Sequence, residues 1–591
     1  MIMRQSALRR TALTFIGLVT LSAPAAAQAP PVRPAPLVTV DPNDGARLPP
    51  SLADGLPIER VYVHVVNPTG DPARDAATRK ALADAFALKA GDTFSDVLAS
   101  AALRDIVARP DVEAAEYRLY RSDDSSAVVL ALIVRTQAPG VKAPAPATGL
   151  IPTRRWSEFP VIYEDSRSQV RATVNPSFGV YDDEHAWLGN PTAFNPRYDV
   201  PSSLAWSEFG LEAGGSAITQ LGSAPVYLYG SASTVVSGTL SNDIFSSKER
   251  RAHLETEKLY GGLLVARKGG RAAFDLSVGR QKFSLNRHLV FGFVLGSTNG
   301  GDRGASYLSP RQAQDLVVNA RLRVGKTVIQ GFLNDPNELP AADTHSRYAG
   351  LNVRYNDNAR LDASFTFAGA IRSTTAYTVP DGRDLRRDGL RVVNPRVKWD
   401  RAFGVPGLWV EGEVGREWHA DFDMSAYAYG AWAGYRFSKA AWKPAVLYRY
   451  SVFSGDDPAT PAYERFDPLL GGVQRDWLQG MVMVKLANNA NIEAHRFEAS
   501  VKPRPGMELL VDVYKFRARQ SNNLGGGRPF QSWPSRDLGY EITPTLQWSL
   551  TPNLFLQGLV SAKVPGAGMA DALPIPARTW FTFQASLYAG F

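Results

Sequence analysis

From about residue 158 to Phe591 the chain alternates apolar residue against polar residue, and no apolar stripe in that span recurs at helical spacing. In "VVNARLRV", Val318, Ala320, Leu322 and Val324 fall on one face, and Asn319, Arg321 and Arg323 on the other. "LNVRY", "NPRVKW" and "VLYRYSV" repeat the scheme with Arg354, then Arg396 and Lys398, then Arg449 on the polar side. "ARTWFTFQASLYAGF" does so again, with Phe581, Phe583, Ala585, Leu587, Ala589 and Phe591 on the apolar phase. Each such strand has one apolar and one polar face, and a long series of them must hide its edges. Closure into a barrel removes the edges, and it seals the last strand to the first. A chain ending within a strand is what that closure expects.

Composition narrows the solvent. The chain holds 50 Gly, 12 Trp, 22 Tyr and 27 Phe, yet its mean hydropathy is only −0.18. Lipid-facing and lumen-facing residues average in this way in a transmembrane barrel; an aromatic soluble β-sandwich or propeller would share the composition. There is no Cys, so no disulfide, thiol nucleophile or thiolate metal site is available. After residue 27 no run approaches the ~18 uninterrupted apolar residues of a membrane helix.

The N-terminus reads as an export signal. Arg4, Arg9 and Arg10 precede the apolar run Leu13 to Leu21 and then Ala25-Ala26-Ala27, the layout of a secretory signal peptide over residues 1–27. Arg9-Arg10 also fits a twin-arginine signal; ordinary export is the expectation. Residues 28–56 are Pro- and Ala-rich and are expected to be a flexible lead-in. Residues 57–136 change pattern. "IERVYVHVV" alternates as a strand; Asp71 caps a helix begun by Pro72, with Leu82 and Phe86 four apart behind it. "KAGDTFS" turns into a second helix with Leu98, Leu103 and Ile106 inward, stopped by Pro110, and two strands follow across Asp123-Asp124. The order β-α-α-β-β, with its "GDTFS" turn, resembles a POTRA domain, the periplasmic module found ahead of several outer-membrane barrels. Residues 137–157 form a Pro-rich linker, and residues 158–591 the barrel. The expected fold is therefore an all-β transmembrane antiparallel barrel of about 16–18 strands with a small N-terminal α+β domain.

Tight turns such as Gly269-Gly270 and Asn356-Asp357 alternate with long loops such as "GSTNGGDRGAS" and "QSNNLGGGRPFQSWPSRD", as in outer-membrane proteins with short turns on one rim. Trp399, Trp418, Trp432, Trp548 and Trp580 are expected in interfacial girdles or in an ordinary core. Phe591 on an alternating final strand resembles the signal read by the barrel-assembly machinery. With the signal peptide it points to the outer membrane of a Gram-negative bacterium, the N-terminal domain lying in the periplasm.

The stretches "ERFDPLLGG" (464 to 472), "HRFEASVKPRPGMELLVDVYKFRA" (495 to 518) and "RDLGYEITPTLQWSLTPNLFLQGLVSAKVPG" (536 to 566) resemble the alginate-export porin family. The resemblance implies an 18-stranded barrel whose basic lumen passes an acidic exopolysaccharide. The POTRA-like domain departs from that family's pattern and leaves the solute and the direction of transport open.

Charge supports an anionic solute independently. The formal charge is +8, and without Arg4, Arg9 and Arg10 it is +5. Residues 28–136 hold 12 Lys and Arg against 15 Asp and Glu, a net −3, which leaves +8 for the rest. The polar phase of the strands places Arg321, Arg323, Arg354, Arg396, Lys398, Arg436, Arg449 and Arg496 in the lumen, with Arg280 and Lys282 if Gly279 marks a bulge. Glu411, Glu413, Glu498, Asp512 and Glu541 share that phase. A mixed ring of this kind attracts a polyanion while keeping each site weak enough to leave. The competing reading is that the arginines only neutralise the lumenal acids. No catalytic motif (H-E-x-x-H, G-x-S-x-G or a P-loop) occurs, and the expectation is a non-enzyme without cofactor, metal or nucleic-acid partner. Its partners would be lipid, the assembly machinery, the acidic solute and a periplasmic protein docked on the POTRA-like domain. A protein translocator is the alternative, since POTRA plus barrel is the plan of two-partner secretion; the Arg-Gly-Phe/Tyr-type motif of those families is missing.

Overall fold

The structure is a computed structural model that describes residues 45–122, 126–137, 149–150, 161–196, 200–266, 272–293, 299–379, 382–472 and 477–590. The expected signal peptide, most of the lead-in and linker, Asp123-Asp124, Gly269-Gly270 and Phe591 lie outside the described residues.

Three strands, β1 (Ile58–Val65), β2 (Val112–Arg121) and β3 (Val128–Thr136), form a sheet in the order β1-β3-β2, with β1 parallel and β2 antiparallel to β3. Helices α1 (Pro72–Ala85) and α2 (Asp96–Val107) separate β1 from β2. The Asp71 carboxylate accepts from the backbone N–H groups of Ala73 and Arg74 at 2.9 and 3.3 Å and so caps α1. Leu98 and Ile106 of α2 are buried and Leu103 is partly covered. The lead-in is shorter than residues 28–56: Ala46, Leu48, Ala53 and Leu56 are buried in the same core, and Pro50–Ala53 forms a helical turn. These apolar residues, spaced between prolines, have a surface to cover, and burying them outweighs the freedom of the segment.

Eighteen long strands close into one antiparallel barrel, to whose sheet the short strands Gly149–Leu150 and Val161–Glu164 add, while Ala376–Tyr377 and Leu385–Arg386 pair by themselves. The long strands are β4 (Ser168–Glu184), β5 (Leu204–Gln220), β6 (Val226–Leu240), β7 (Arg250–Ala266), β8 (Ala272–Lys282), β9 (Ala313–Val324), β10 (Thr327–Asp335), β11 (Arg347–Asn356) and β12 (Leu361–Arg372). β13 (Leu390–Asp400), β14 (Leu408–His419), β15 (Ala426–Arg436), β16 (Ala445–Phe453), β17 (Ile492–Arg504), β18 (Met507–Ala518), β19 (Asp537–Thr551), β20 (Leu554–Val564) and β21 (Trp580–Ala589) complete it. The last strand closes on the first, Phe581 opposite Glu184 and Tyr588 opposite Ser177.

The alternation is realised as expected. Leu322, Val324, Phe365, Phe367, Val511, Val513, Phe581 and Phe583 are exposed on the outer face, while Asn319, Arg323, Arg354 and Glu541 are buried inside. Short turns gather on one rim. At Asn356-Asp357 the Asp357 carboxylate accepts from the backbone N–H groups of Ala359, Arg360 and Leu361 at 2.8, 2.7 and 3.0 Å. The register shifts between Gly279 and Gln281, the expected bulge; Gly279 has φ 132°, and a Cβ there would lie 2.3 Å from the Leu259 carbonyl oxygen. Among the tryptophans, Trp399 faces outward, but Trp432 and Trp580 are buried inside. They occupy the inward phase, where Trp477 and Trp187 from loops supply ring partners at 5.1 and 5.5 Å.

Candidate functional site: the lumen

Two long loops turn inward from the rim opposite the short turns. The 283–312 connection buries Arg287, His288, Phe291 and Phe293, and the 454–491 connection buries Phe466, Trp477 and Met483. They meet inside the barrel, where Leu470 donates to the Val290 carbonyl at 3.1 Å and Gly472 to that of His288 at 3.0 Å.

Wall carboxylates hold these loops by their backbone. Glu541 accepts from the N–H groups of Met481, Val482 (3.1 Å) and Met483 (2.9 Å). Glu208 accepts from Tyr307 and Leu308 at 3.0 and 2.7 Å, and Glu257 from Gln312 and Ala313 at 2.9 and 3.0 Å. A carboxylate is acceptor-only, so it satisfies several orphan N–H groups of an irregular segment at once. Glu413 serves a side chain in the same way, accepting from Trp477 Nε1 at 2.9 Å and Asn394 at 3.0 Å.

The expected basic residues line the interior, and the structure gives them partners. Arg321 binds Asp275 on the neighbouring strand, with Nε at 2.8 Å. Arg354 makes two hydrogen bonds to Asp362, which also accepts from Arg396 at 3.1 Å. Arg396 continues to Glu411, and Glu411 accepts from Arg287 Nε at 3.2 Å. Arg496 bridges Asp512 at 2.8 Å and Glu498. Arg449 donates to Gln479 at 2.9 Å; it and Arg496 lie 5.8 and 5.7 Å from the Tyr514 ring. Arg436 binds Asp400 at 2.9 Å near the short-turn rim. Arg280, at the bulge, bridges Glu255 at 2.9 Å and Asp315, while Lys282 donates to the Ser51 carbonyl at 3.0 Å. The cations and acids thus form alternating chains, and the Arg321 partner is Asp275 rather than Glu411, Glu413 or Glu541.

The remaining partners come from residues 45–137, seated in the short-turn end. Lys398 binds Glu59 at 2.8 Å, Arg287 binds Glu59 at 3.0 Å, and Arg323 Nε binds Asp92 at 3.0 Å. Arg171 binds Asp96 at 2.7 Å, and Lys258 binds Asp54 at 2.9 Å. Burial opposes ionisation of Glu59, yet Lys398, Arg287 and Arg60 bring its carboxyl well below the ordinary value. Burial likewise opposes ionisation of Asp96, and Arg171 with Tyr117 brings it down.

Sequence reasoning missed Asp54, Glu59, Asp92, Asp96, Arg171, Lys258, Arg287, Asp275 and Asp362. Asp362 was readable from "LDASFTF", where it shares the polar phase with Ser364 and Thr366. Arg287 and Glu59 carry no local signal, because a loop and a separate sheet bring them together. Between the domain, the loops and the wall a cavity of about 250 Å³ remains, lined in part by Arg121, Tyr307, Tyr514, Gln547, Gln557 and Tyr588. Gln547 Oε1 is buried there without a hydrogen-bond partner among the described residues. Also among the described residues, no helix is long and apolar enough to cross a membrane, which leaves crossing by strands untouched, and no cluster of His, Asp and Glu is arranged to hold a metal.

Residues 246–528 match the model of the alginate-export family, described as "Alginate export". No curated protein sequence matches the chain. Similar solved structures include Pseudomonas aeruginosa OccK7 (OpdD), with 11% identity over 71% of this chain and 98% of that one, TM-score 0.43. Acinetobacter baumannii OccAB1 is similar at 10% identity over 71% and 97%, TM-score 0.45. Pseudomonas aeruginosa OccK2 (OpdF) in complex with glucuronate matches at 10% over 71% and 96%, TM-score 0.43.

Proposed function

We propose that this chain, which matches the alginate-export family over residues 246–528 and closes into an antiparallel barrel, is an outer-membrane porin that passes an anionic polysaccharide or a similar acidic solute. The observation that carries this reading is the chemistry of the lumenal cavity. Tyr514, Tyr307 and Tyr588 offer ring faces for the apolar faces of sugar rings, and Gln547 and Gln557 offer amides for hydroxyls. Arg121 lines the same space, and Arg449 lies beside Tyr514; guanidinium groups suit carboxylates because they bind them bidentately. The wall cations that hold Asp92, Asp96 and Glu59 are of the kind that would meet the carboxylates of a uronate chain.

On the same reading, residues from about 46 to 137 form a POTRA-like periplasmic domain able to dock a partner, and the short-turn rim faces the periplasm. Phe591 is the proposed assembly signal; normal outer-membrane levels after its deletion would remove that role.

The test is current block in planar bilayers. Acidic oligouronides should occlude single-channel openings at lower concentration than neutral oligosaccharides of the same length. Equal block by both would overturn the anionic-solute reading.

A further inference from the structure

The N-terminal domain meets the barrel through two unlike faces. One is apolar: Leu48, Leu56 and Val97 share a core with Ile218, Tyr229, Phe293 and Phe555 of the wall and loop. The other is ionic and polar. Asp54, Glu59, Asp92 and Asp96 bind Lys258, Lys398 with Arg287, Arg323 and Arg171. Asn358, on a short turn, accepts from Val61 N–H and donates to Val61 C=O, both at 2.9 Å, as a side chain would close the edge of a strand. The Asn356 amide donates to the Glu59 carbonyl at 2.9 Å.

The charge complementarity runs mainly one way, since four domain carboxylates serve five wall and loop cations, against one reverse pair between Arg60 of the domain and Asp400 of the wall. The register sets Lys398 opposite Glu411 on the next strand, yet its ammonium lies 2.8 Å from Glu59 of the domain. A cation taken from water is stabilised by an anion beside it. When the domain leaves, Arg287 keeps Glu411 and Lys258 keeps Glu212, and the places of Asp54, Glu59, Asp92 and Asp96 pass to water or to another carboxylate, which a chain of carboxylates supplies and a neutral solute does not.

We propose that Arg171, Lys258, Arg287, Arg323 and Lys398 are carboxylate-binding sites with two alternative occupants, the chain's own N-terminal domain and an acidic polymer. The domain is a stopper seated by its own carboxylates, and the polymer opens the channel by taking their places. This inference rests on the anionic-solute reading for the second occupant alone. The stopper is covalently joined to β4, so its effective concentration at the mouth stays high and it re-seats when the polymer has passed.

The experiment records the open probability of the full chain in planar bilayers, with and without oligouronide on the short-turn side. Asp54→Asn, Glu59→Gln, Asp92→Asn and Asp96→Asn combined should raise the open-to-closed ratio of the channel at least about tenfold, equivalent to about 1.4 kcal/mol. Oligouronide should raise the wild-type ratio, with the brief blocks it causes within an opening counted as open time, and a neutral oligosaccharide of equal length should not. Arg171→Asp should open the channel, and Arg171→Asp with Asp96→Arg should close it again, which separates loss of the latch from misfolding. An unchanged ratio in both the neutralised and the Arg171→Asp proteins overturns the stopper, even if their openings prefer anions. Openings in the neutralised protein without anion preference would keep the stopper and overturn the anionic solute instead.

Discussion

Arg354 and Asp362 lie diagonally across one hairpin, where the register sets them opposite Ser364 and Asn356, and they meet in two parallel hydrogen bonds, Nε at 2.9 Å and the terminal nitrogen at 2.8 Å. Asp362 also accepts from Arg396 at 3.1 Å, so one buried carboxylate serves two buried guanidinium groups. Removing one partner of such a pair leaves an uncompensated buried charge. Asp362→Ala should cost about 3–5 kcal/mol, read as a lower temperature for conversion to the unfolded band on semi-native gels. Arg354→Lys keeps the charge, loses the fork, and should cost about 1 kcal/mol. Equal transition temperatures for Asp362→Ala and wild type would show that the pair contributes nothing.

Glu541 holds the inward loop through the N–H groups of Met481, Val482 and Met483. Glu541→Gln replaces charged hydrogen bonds with neutral ones and turns an acceptor into a donor, a loss of about 2 kcal/mol. Limited proteolysis should cut within residues 477–491 at least about tenfold faster, while the barrel strands stay protected. Unaltered cleavage would mean that the loop is held by its apolar contacts alone.

The cap on α1 gives a local test. Asp71→Ala removes the acceptor for Ala73 and Arg74 and should cost about 1 kcal/mol. Amide exchange in the first turn of α1 should accelerate in the full chain, and exchange in the barrel should not. Unchanged protection at Ala73 and Arg74 would remove the cap from the account.

Acid should loosen the domain. Glu59 and Asp96 ionise more readily in the seated domain than when released, because Lys398, Arg287 and Arg171 outweigh their burial. A depressed carboxyl stabilises the seated state fully above its released value and loses that contribution as pH falls toward the seated value. Seating should therefore be pH-independent near neutrality and weaken below the ordinary carboxylate range of about 4. Proteolysis of residues 46–137 by an acid-tolerant protease should rise there and should rise less in Glu59→Gln with Asp96→Asn. A rise of equal size in that variant would assign the acid effect to other groups.

Much of the wall was legible because a strand's side-chain period is two. Alternation alone put Arg321, Arg323, Arg354, Arg396 and Glu541 inside and Leu322 and Phe583 outside, and Gly279 announced its bulge. What each inward residue touches was not legible. Asp275 lies opposite Arg321 only because β8 and β9 pair in one register, and "AAFDLSVG" carries nothing that fixes it. Glu411 and Glu541 look alike in sequence, yet one joins two guanidinium groups and the other holds a loop backbone, because different loops fold against them. Trp432 and Trp580 took the second of the two places expected for them, because loop side chains make the lumen apolar where they stand.

The proposed role of the lumenal cations is to select anions. Its most direct measurement is the reversal potential of single-channel openings across a salt gradient, for wild type and for Arg321→Glu with Arg323→Glu. Both arginines lie on the inward phase of β9, about 6–7 Å apart along the strand. The account predicts anion preference in the wild type and its loss or reversal in the variant, fading above about 1 M salt where the Debye length is about 3 Å. An unchanged ion preference in the variant at low salt would contradict it.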